Sequence, residues 1–552
     1  MYYLGIDLGT TNSVVARSYV DVNDNLITEV LNIGQFFEDN WEEERELPSA
    51  VYFATDGLIT VGKEAKRQHL QDRERVVVNA KRHMGTDKTW EFDGVTYRAK
   101  DISALILKHC KNEIDKTKIS YEKVVITVPA SFTESPWCDT EAAAIQAGFK
   151  KDQIVIKHEP TAALLSYIDE QSKRQAQDRE ADFSSKKRVL VFDLGGGTCD
   201  TSIIDVVIDK DGMQFDEIGI GRYKELGGID FDSRLADKLL KKYFEDHKLL
   251  EGELSEKQKS QMYRQLLLAA ETIKERISTQ INRRLSVDPQ CDIESIAGKY
   301  NITNFFNNER YPLVLTKSEY DEYTKEFYID RPARSRKHEE ADQDKNVIAI
   351  IRETLEKYRI AKDSIDYVFL TGGMTKFPTV QEKIGEYFGK PVLKPADPMT
   401  AVARGAAVYE YYKPRDDKKV GLKDRMRLPE SIMLNVSEGL PRVIIERDTE
   451  FPAEGELCGV FKTTSPSGVI LNVYSGENEY DSSMRIQHSL RKKFRSPVMP
   501  GTPFDIKYTI SENQSIRITL VIDDDMNERQ ELELSLYDDE NITEQQYNLV
   551  TE

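Results

Sequence analysis

An apolar strand that runs into an aspartate and then into a glycine/threonine turn occurs twice in this chain. Residues 4 to 13 read Leu-Gly-Ile-Asp-Leu-Gly-Thr-Thr-Asn-Ser, and residues 189 to 201 read Val-Leu-Val-Phe-Asp-Leu-Gly-Gly-Gly-Thr-Cys-Asp-Thr. Each is followed by another apolar strand, Val14 to Ala16 and Ser202 to Val207. Glycines let backbone N–H groups approach phosphate oxygens with no Cβ in the way, and threonine hydroxyls add donors. An aspartate at the strand end can hold Mg²⁺ through water. Either motif alone reads more simply as a hairpin or bulge. The echo, roughly 185 residues apart, argues for two related lobes whose turns face each other and clamp a polyphosphate.

A third glycine turn, Thr371-Gly372-Gly373-Met374-Thr375, follows the strand Tyr367 to Leu370 and precedes a helix from about Thr379. That places another loop outside the carboxyl end of a strand, where open α/β sheets bind ligands. The segment from Gly57 to Glu64 nearly satisfies a P-loop pattern, but Glu64 stands where the metal-binding hydroxyl is needed. It is rejected as a phosphate site. No Gly-x-Gly-x-x-Gly fingerprint opens a helix after a strand, so a dinucleotide fold has no support.

The remainder of the sequence supplies the frame. From residue 1 to about 412, short apolar runs (Val124 to Val128, Val189 to Phe192, Tyr367 to Leu370) alternate with helical periodicity at Ile102 to Ile114, Phe231 to Phe244, Gln258 to Ile281 and Val347 to Tyr358. This is α/β patterning with helix-covered strands and a second lobe beginning near residue 188. The polar stretches Glu170 to Arg188 and Asp330 to Lys345 read as solvated surface insertions. Residues 413–427 are dense in Lys, Arg and Asp and read as a polar linker. From 428 to 540 the period becomes two, as in Ile432, Leu434, Val436 and in Ile516, Ile518, Leu520, Ile522, and in Leu532, Leu534, Leu536. A small antiparallel β-sandwich is predicted, with 541–552 as a tail.

A net charge of −19 repels phosphate backbones and anionic lipid, so neither a nucleic-acid nor a membrane-surface partner is expected. The 5 cysteines are scattered and never form a Cys-x-x-Cys pair, which supports neither a disulfide framework nor a zinc site. The N-terminus carries no secretory pattern and no apolar run is long enough to span a bilayer, so a cytoplasmic location is expected. Asn-x-Ser/Thr triplets at Asn301, Asn513 and Asn541 carry no message without a secretory route.

The two Asp/Gly turns, together with Ile126-Thr127-Val128-Pro129-Ala130, Glu159-Pro160-Thr161-Ala162-Ala163, Leu226-Gly227-Gly228 and Gly405-Ala406-Ala407 in that order, resemble the 70-kilodalton heat-shock protein (DnaK-type) family. The likeness spans about residues 1 to 412 with specific motifs and continues more weakly into 428–537. It implies the actin/hexokinase/heat-shock ATPase architecture, two lobes around a nucleotide cleft, with ATP/ADP and Mg²⁺ as ligands. By this resemblance Gly9, Thr10, Thr11 and Asn12 and the Gly195, Gly196, Gly197, Thr198 turn form the phosphate cradle. Asp7 and Asp193 are the Mg²⁺-water carboxylates. Lys81 reaches the γ-phosphate and positions the attacking water, Glu159 lies beside that water, and Thr198 and Asp193 assist. Glu271, Lys274 and Ser278 contact adenosine, with Gly372, Gly373 and Lys376 closing over the other side. Slow ATP hydrolysis is the implied activity, since phosphoryl transfer to water needs positioning and charge stabilisation more than a strong base.

The sequence also departs from that family. The linker residues Lys418 to Arg427 are too polar to bury the area of the family's leucine run. The family's relay arginine falls at Trp137. About fifteen residues follow Leu536, too few for a helical lid at about 1.5 Å per residue, so a lidless cleft is expected. Cleft candidates by resemblance are Leu434, Val469 and Leu471, all on alternating strands where core is the simpler reading, and Ser437 replaces a large apolar arch residue. Cys199 replaces an aromatic, either as an oxidation switch or as a small buried hydrophobe. The expected function is an ATP-dependent chaperone binding unfolded or extended peptide, or a specific protein client, with possible co-chaperones and a nucleotide-exchange factor. A nucleotide-gated partner-binding module is the alternative, and a small-molecule kinase on the same fold is a more distant one.

Overall fold

The computed structural model describes all residues except 1, 39, 70, 211, 250–253, 289, 330–344, 414–420, 436–439, 482–483, 524–528, 536–548 and 551–552. The insertion from Asp330, the strand ends Val436 and Leu536, Ser437, and most of the tail therefore lie outside the described residues.

The internal echo is a repeat of topology. In the first lobe the strand Tyr2–Asp7 runs parallel to Tyr121–Val128 and antiparallel to Asn12–Val20, which continues antiparallel to Leu26–Val30. In the second lobe Lys187–Leu194 runs parallel to Tyr367–Thr371 and antiparallel to Cys199–Asp209, which continues antiparallel to Gly212–Ile220. The two aspartates take equivalent positions: Asp7 lies opposite Thr127 and Val14, and Asp193 opposite Thr371 and Asp200. Strands covered on both faces must be apolar throughout, and Val189, Leu190, Val191 and Phe192 are all fully buried.

The helices form where periodicity predicts them, over Ala99–Lys116, Gly228–His247, Glu256–Leu285 and Val347–Lys357. The third is instructive. Ser255 caps it by accepting from the Gln258 amide while the Gln258 side chain returns to the Ser255 N–H. Its buried stripe, Met262, Leu266, Ala269, Ala270, Ile273, Ile277 and Ile281, fixes its rotation. Glu271, Lys274, Glu275 and Ser278 are thereby turned toward the cleft.

The C-terminal region is a sandwich of two four-stranded sheets. One contains Arg442–Ile445, Ser431–Asn435, Gly468–Gly476 and Arg485–Lys493; the other contains Ala453–Lys462, Pro503–Ile510, Ile516–Ile522 and Gln530–Ser535. The alternating residues Ile516, Ile518, Leu520 and Ile522 are buried, as are Leu532 and Leu534.

Two expectations are corrected here. Residues 421–427 are no solvated connection: they form a strand parallel to Gly212–Ile220, so they extend the second-lobe sheet, and they also pair with Glu450–Phe451. Leu422 and Met426 are buried, while Lys423 and Arg425 face outward. Asp424, on the buried side, accepts from the Tyr409 hydroxyl at 3.0 Å and lies 3.5 Å from the Lys157 ammonium. Average composition concealed a period of two in which the inward charge has a partner. The second correction concerns Leu434, Val469 and Leu471. All three are buried in the sandwich core, at 0%, 4% and 0% exposure, and do not line an open cleft.

The sandwich packs on the first lobe as well. Trp137 sits in the helix Glu134–Gln146, fully buried, with its ring 6.1 Å from that of Phe451. Glu134 accepts from the Ile516 N–H at 2.8 Å, and Glu141 from the Asn513 amide at 2.9 Å.

Candidate functional site

Between the lobes lies a cavity of about 360 Å³. It is lined from the first lobe by Asp7, Gly9, Thr10, Thr11, Asn12, Lys81 and Glu159. From the second lobe come Asp193, Gly195, Gly196, Thr198, Glu271, Lys274, Ser278, Gly372, Gly373 and Lys376. Every cleft residue expected from the sequence except Gly197 faces this one cavity.

The two Asp/Gly turns meet across it. A Cβ built on Gly196 would stand 2.1 Å from Thr11 Oγ1, and one on Gly197 2.9 Å from Thr10 Cγ2. Among the described residues, the hydroxyl oxygens of Thr10 and Thr11 are buried without a hydrogen-bond partner. Two unpartnered hydroxyls beside Cβ-free backbone are what a ligand rich in acceptor oxygens requires. Gly372 has φ +87 and its Cβ would fall 2.3 Å from Asp193 Oδ1, so the third turn closes on the aspartate only because it has no side chain.

The cavity floor gathers charge. Lys81 and Glu159 form a buried ion pair, each 7% exposed. Burial works against the Lys81 ammonium, but Glu159 and then Asp7 more than offset it, and its pKa is raised. Asp7 is pushed up to about 7 by burial and by Glu159, with Lys81 opposing. Asp193 is held well above the usual range by burial and by Glu159, Asp7 and Asp200. Asp200, also pushed to about 7 chiefly by burial, accepts from the Ser131 hydroxyl at 2.6 Å. Four carboxylates around one lysine leave a deficit of positive charge at the foot of the threonine turns. The donor set is oxygen-only and hard, which fits a small divalent cation.

The end of the cavity formed by the helix Glu256–Leu285 is already internally organised. Lys274 binds Asp232 at 2.6 Å, the Ser278 hydroxyl donates to the Lys376 carbonyl at 3.1 Å, and Lys376 pairs with Asp397 at 3.0 Å. Glu271 spans the lobes to Lys66 at 2.8 Å. Asn12 donates to Glu46 at 2.9 Å. In the rejected segment at 57–64, Lys63 pairs with Glu42 and Glu44.

Sequence reasoning missed Glu46, Glu275, Arg82 and Asp200. Glu275 follows Lys274 on the helix and was legible from spacing once the cleft face was known. Arg82 donates to the Gly197 carbonyl and so holds the second turn from the first lobe. No local signal marks Arg82, because its partner is 115 residues away.

A family model described as Hsp70 protein matches residues 3–93, 86–303 and 340–540. Chaperone protein DnaK of Thermosipho melanesiensis is 30% identical over 523 residues, 94% of this chain and 78% of that protein. Chaperone protein DnaK of Thermotoga petrophila is 31% identical over 485 residues, 86% of this chain and 70% of that protein.

The chain belongs to the Hsp70 family.

Membership accounts for the architecture: an actin-like two-lobed domain followed by a β-sandwich is the Hsp70 plan. In this Hsp70, Trp137 is an interdomain packing residue, and Cys199 is fully buried with its thiol pKa raised well above the usual range, first by burial and then by Asp200 and Asp193. Among the described residues no helix is long and apolar enough to cross a membrane.

Proposed function

We propose that this Hsp70 binds Mg²⁺-ATP in the interlobe cavity, hydrolyses it slowly, and uses the nucleotide state to control the β-sandwich as a chaperone. One observation carries the reading: the apposed, Cβ-free Gly196 and Gly197 turn against Thr10 and Thr11, in the same cavity as the buried Lys81–Glu159 pair.

The chain's own residues suit hydrolysis as follows. The two turns offer backbone N–H groups and the Thr10 and Thr11 hydroxyls, unpartnered among the described residues, to phosphate oxygens, and Thr198 lines the same cavity. Lys81, with Glu159 holding its ammonium, orients the attacking water and offsets charge on the γ-phosphate oxygens. Glu159 accepts a hydrogen bond from that water, and Asp193 holds its other side. Asp7 and Asp193 would hold a magnesium ion, which when bound would supply charge neutralisation to the phosphates. Glu271, Lys274 and Ser278 face the base and ribose, with Gly372, Gly373 and Lys376 opposite.

The test is Lys81→Ala. Nucleotide affinity should stay within about threefold while turnover falls by about a hundredfold or more, because the lost group acts chiefly on the transition state. Unchanged turnover overturns the assignment.

A second reading is favoured by the burial of Leu434, Val469 and Leu471: a nucleotide-gated module that docks a specific protein partner without general folding activity. Steady-state hydrolysis with and without an extended apolar peptide separates the two. Stimulation supports the chaperone, and nucleotide binding without stimulation supports the module.

A further inference from the structure

Next to Glu159 in the chain, side chains from four separate elements close a ring. His158 ends the strand Ile154–His158, and Glu159 begins the next helix, so the two share a backbone junction. The His158 Nδ1–H donates to Glu217 Oε2 at 2.8 Å, and both side chains are buried. Glu217 belongs to the second-lobe strand Gly212–Ile220, so this bond joins the lobes. On its other side the imidazole meets Trp137 edge to face, with ring centroids 5.3 Å apart and planes at 80°. Trp137 in turn meets Phe451 at 6.1 Å and 87°. Phe451 lies in a short strand that pairs with Gly421–Arg427, which pairs with the strand carrying Glu217. The path from Glu217 through the sheet to Phe451, Trp137 and His158 therefore returns to its start.

Among the described residues, three polar atoms in this ring, His158 Nε2, Glu217 Oε1 and Trp137 Nε1, are buried without a hydrogen-bond partner. Unsatisfied buried groups oppose a packed arrangement and regain water when it opens.

We infer that His158 is a positioning residue: its hydrogen bond to Glu217 ties the docking of the β-sandwich on Trp137 to the placement of Glu159 beside Lys81. The inference rests on the hydrolysis reading for its kinetic consequence, and on geometry alone for the coupling. Leucine at 158 keeps apolar volume but no donor; asparagine loses ring volume but can keep a donor near the Nδ1 position. A space-filling role would tolerate leucine better, whereas a positioning role requires the donor.

The experiment uses the full chain with Trp41 and Trp90 replaced by Phe, so that Trp137 alone emits. In His158→Leu, acrylamide quenching of Trp137 should rise by about twofold or more and kcat should fall roughly tenfold with the KM for ATP within about twofold, the cost of a modest misplacement. His158→Asn should restore both to within about threefold of the parent chain. Phe451→Ala should shift kcat in the same direction, and the double variant with His158→Leu should be no slower than the worse single one. The inference is overturned if leucine preserves both readouts, if asparagine is as impaired as leucine, or if the Phe451 and His158 effects multiply. A parent chain that does not hydrolyse ATP would sink the functional proposal instead, and quenching, which needs no nucleotide, would still decide the coupling.

Discussion

Replacing Glu134 by glutamine should strengthen docking of the β-sandwich and remove much of its pH dependence. Glu134 opens the helix Glu134–Gln146, is 5% exposed, and accepts from the Ile516 N–H at 2.8 Å across the interface. Burial pushes its carboxyl up to about 8 from an ordinary value of 4.5, with the Ile516 N–H pulling the other way. Since the docked pKa is raised, the stability associated with this group is fully present below about 4.5 and is lost as pH rises through about 8. At pH 7 the undocked carboxyl is ionised and must take up a proton or be buried charged. With pH 7 about 2.5 pH units above the ordinary value, and about 1.4 kcal/mol per unit, docking carries a handicap of about 3 kcal/mol there and under about 1 kcal/mol at pH 5. The docking constant should therefore weaken roughly a hundredfold between those pH values through this group alone. Glutamine keeps an oxygen for Ile516 and has no proton to take up. In the chain whose sole tryptophan is Trp137, quenching by acrylamide should rise with pH in the parent and change much less in Glu134→Gln. Equal pH dependence in both chains, or firmer docking of the parent above pH 8 than near pH 5, would refute the reasoning.

Gly405→Ala should destabilise the first lobe by about 1 to 3 kcal/mol in thermal denaturation, as overpacking does, because its Cβ would fall 1.7 Å from the Ala162 carbonyl oxygen. Leu471→Ala should lower stability by about 2 to 5 kcal/mol, the range for a buried leucine, and a loss of peptide binding without a loss of stability would return this residue to a cleft. Cys199 is fully buried and its thiol pKa is raised, so ATP turnover should survive alkylation of the native protein; rapid loss of turnover traceable to Cys199 would reinstate the oxidation switch. Lys81→Ala, described above, tests the hydrolytic assignment.

Much of the interlobe-cavity geometry was legible because it is written locally. The Asp7 and Asp193 turns consist of residues adjacent in sequence whose conformational freedom and donors define a cradle, and the stripe from Met262 to Ile281 turns Glu271, Lys274 and Ser278 together. The linker strand was missed because composition was averaged over a stretch whose meaning lay in alternation, with Leu422, Asp424 and Met426 inward. The inward charge is tolerable only because Lys157 and Tyr409 are brought to it. Strand periodicity likewise put Leu434, Val469 and Leu471 on defined faces but did not say whether those faces look into the sandwich or out of it.

The sequence by itself determined two α/β lobes carrying matched aspartate turns, the helix caps and buried stripes, and a terminal β-region of period two. These depend on interactions over a few residues, where backbone freedom and side-chain spacing suffice. Tertiary structure alone decided that Thr11 would face Gly196, that Glu134 would meet Ile516 at a separation of 382 residues, and that His158 would be held between Glu217 and Trp137. Such pairings follow from how whole sheets and helices bury their apolar faces, which no local pattern contains.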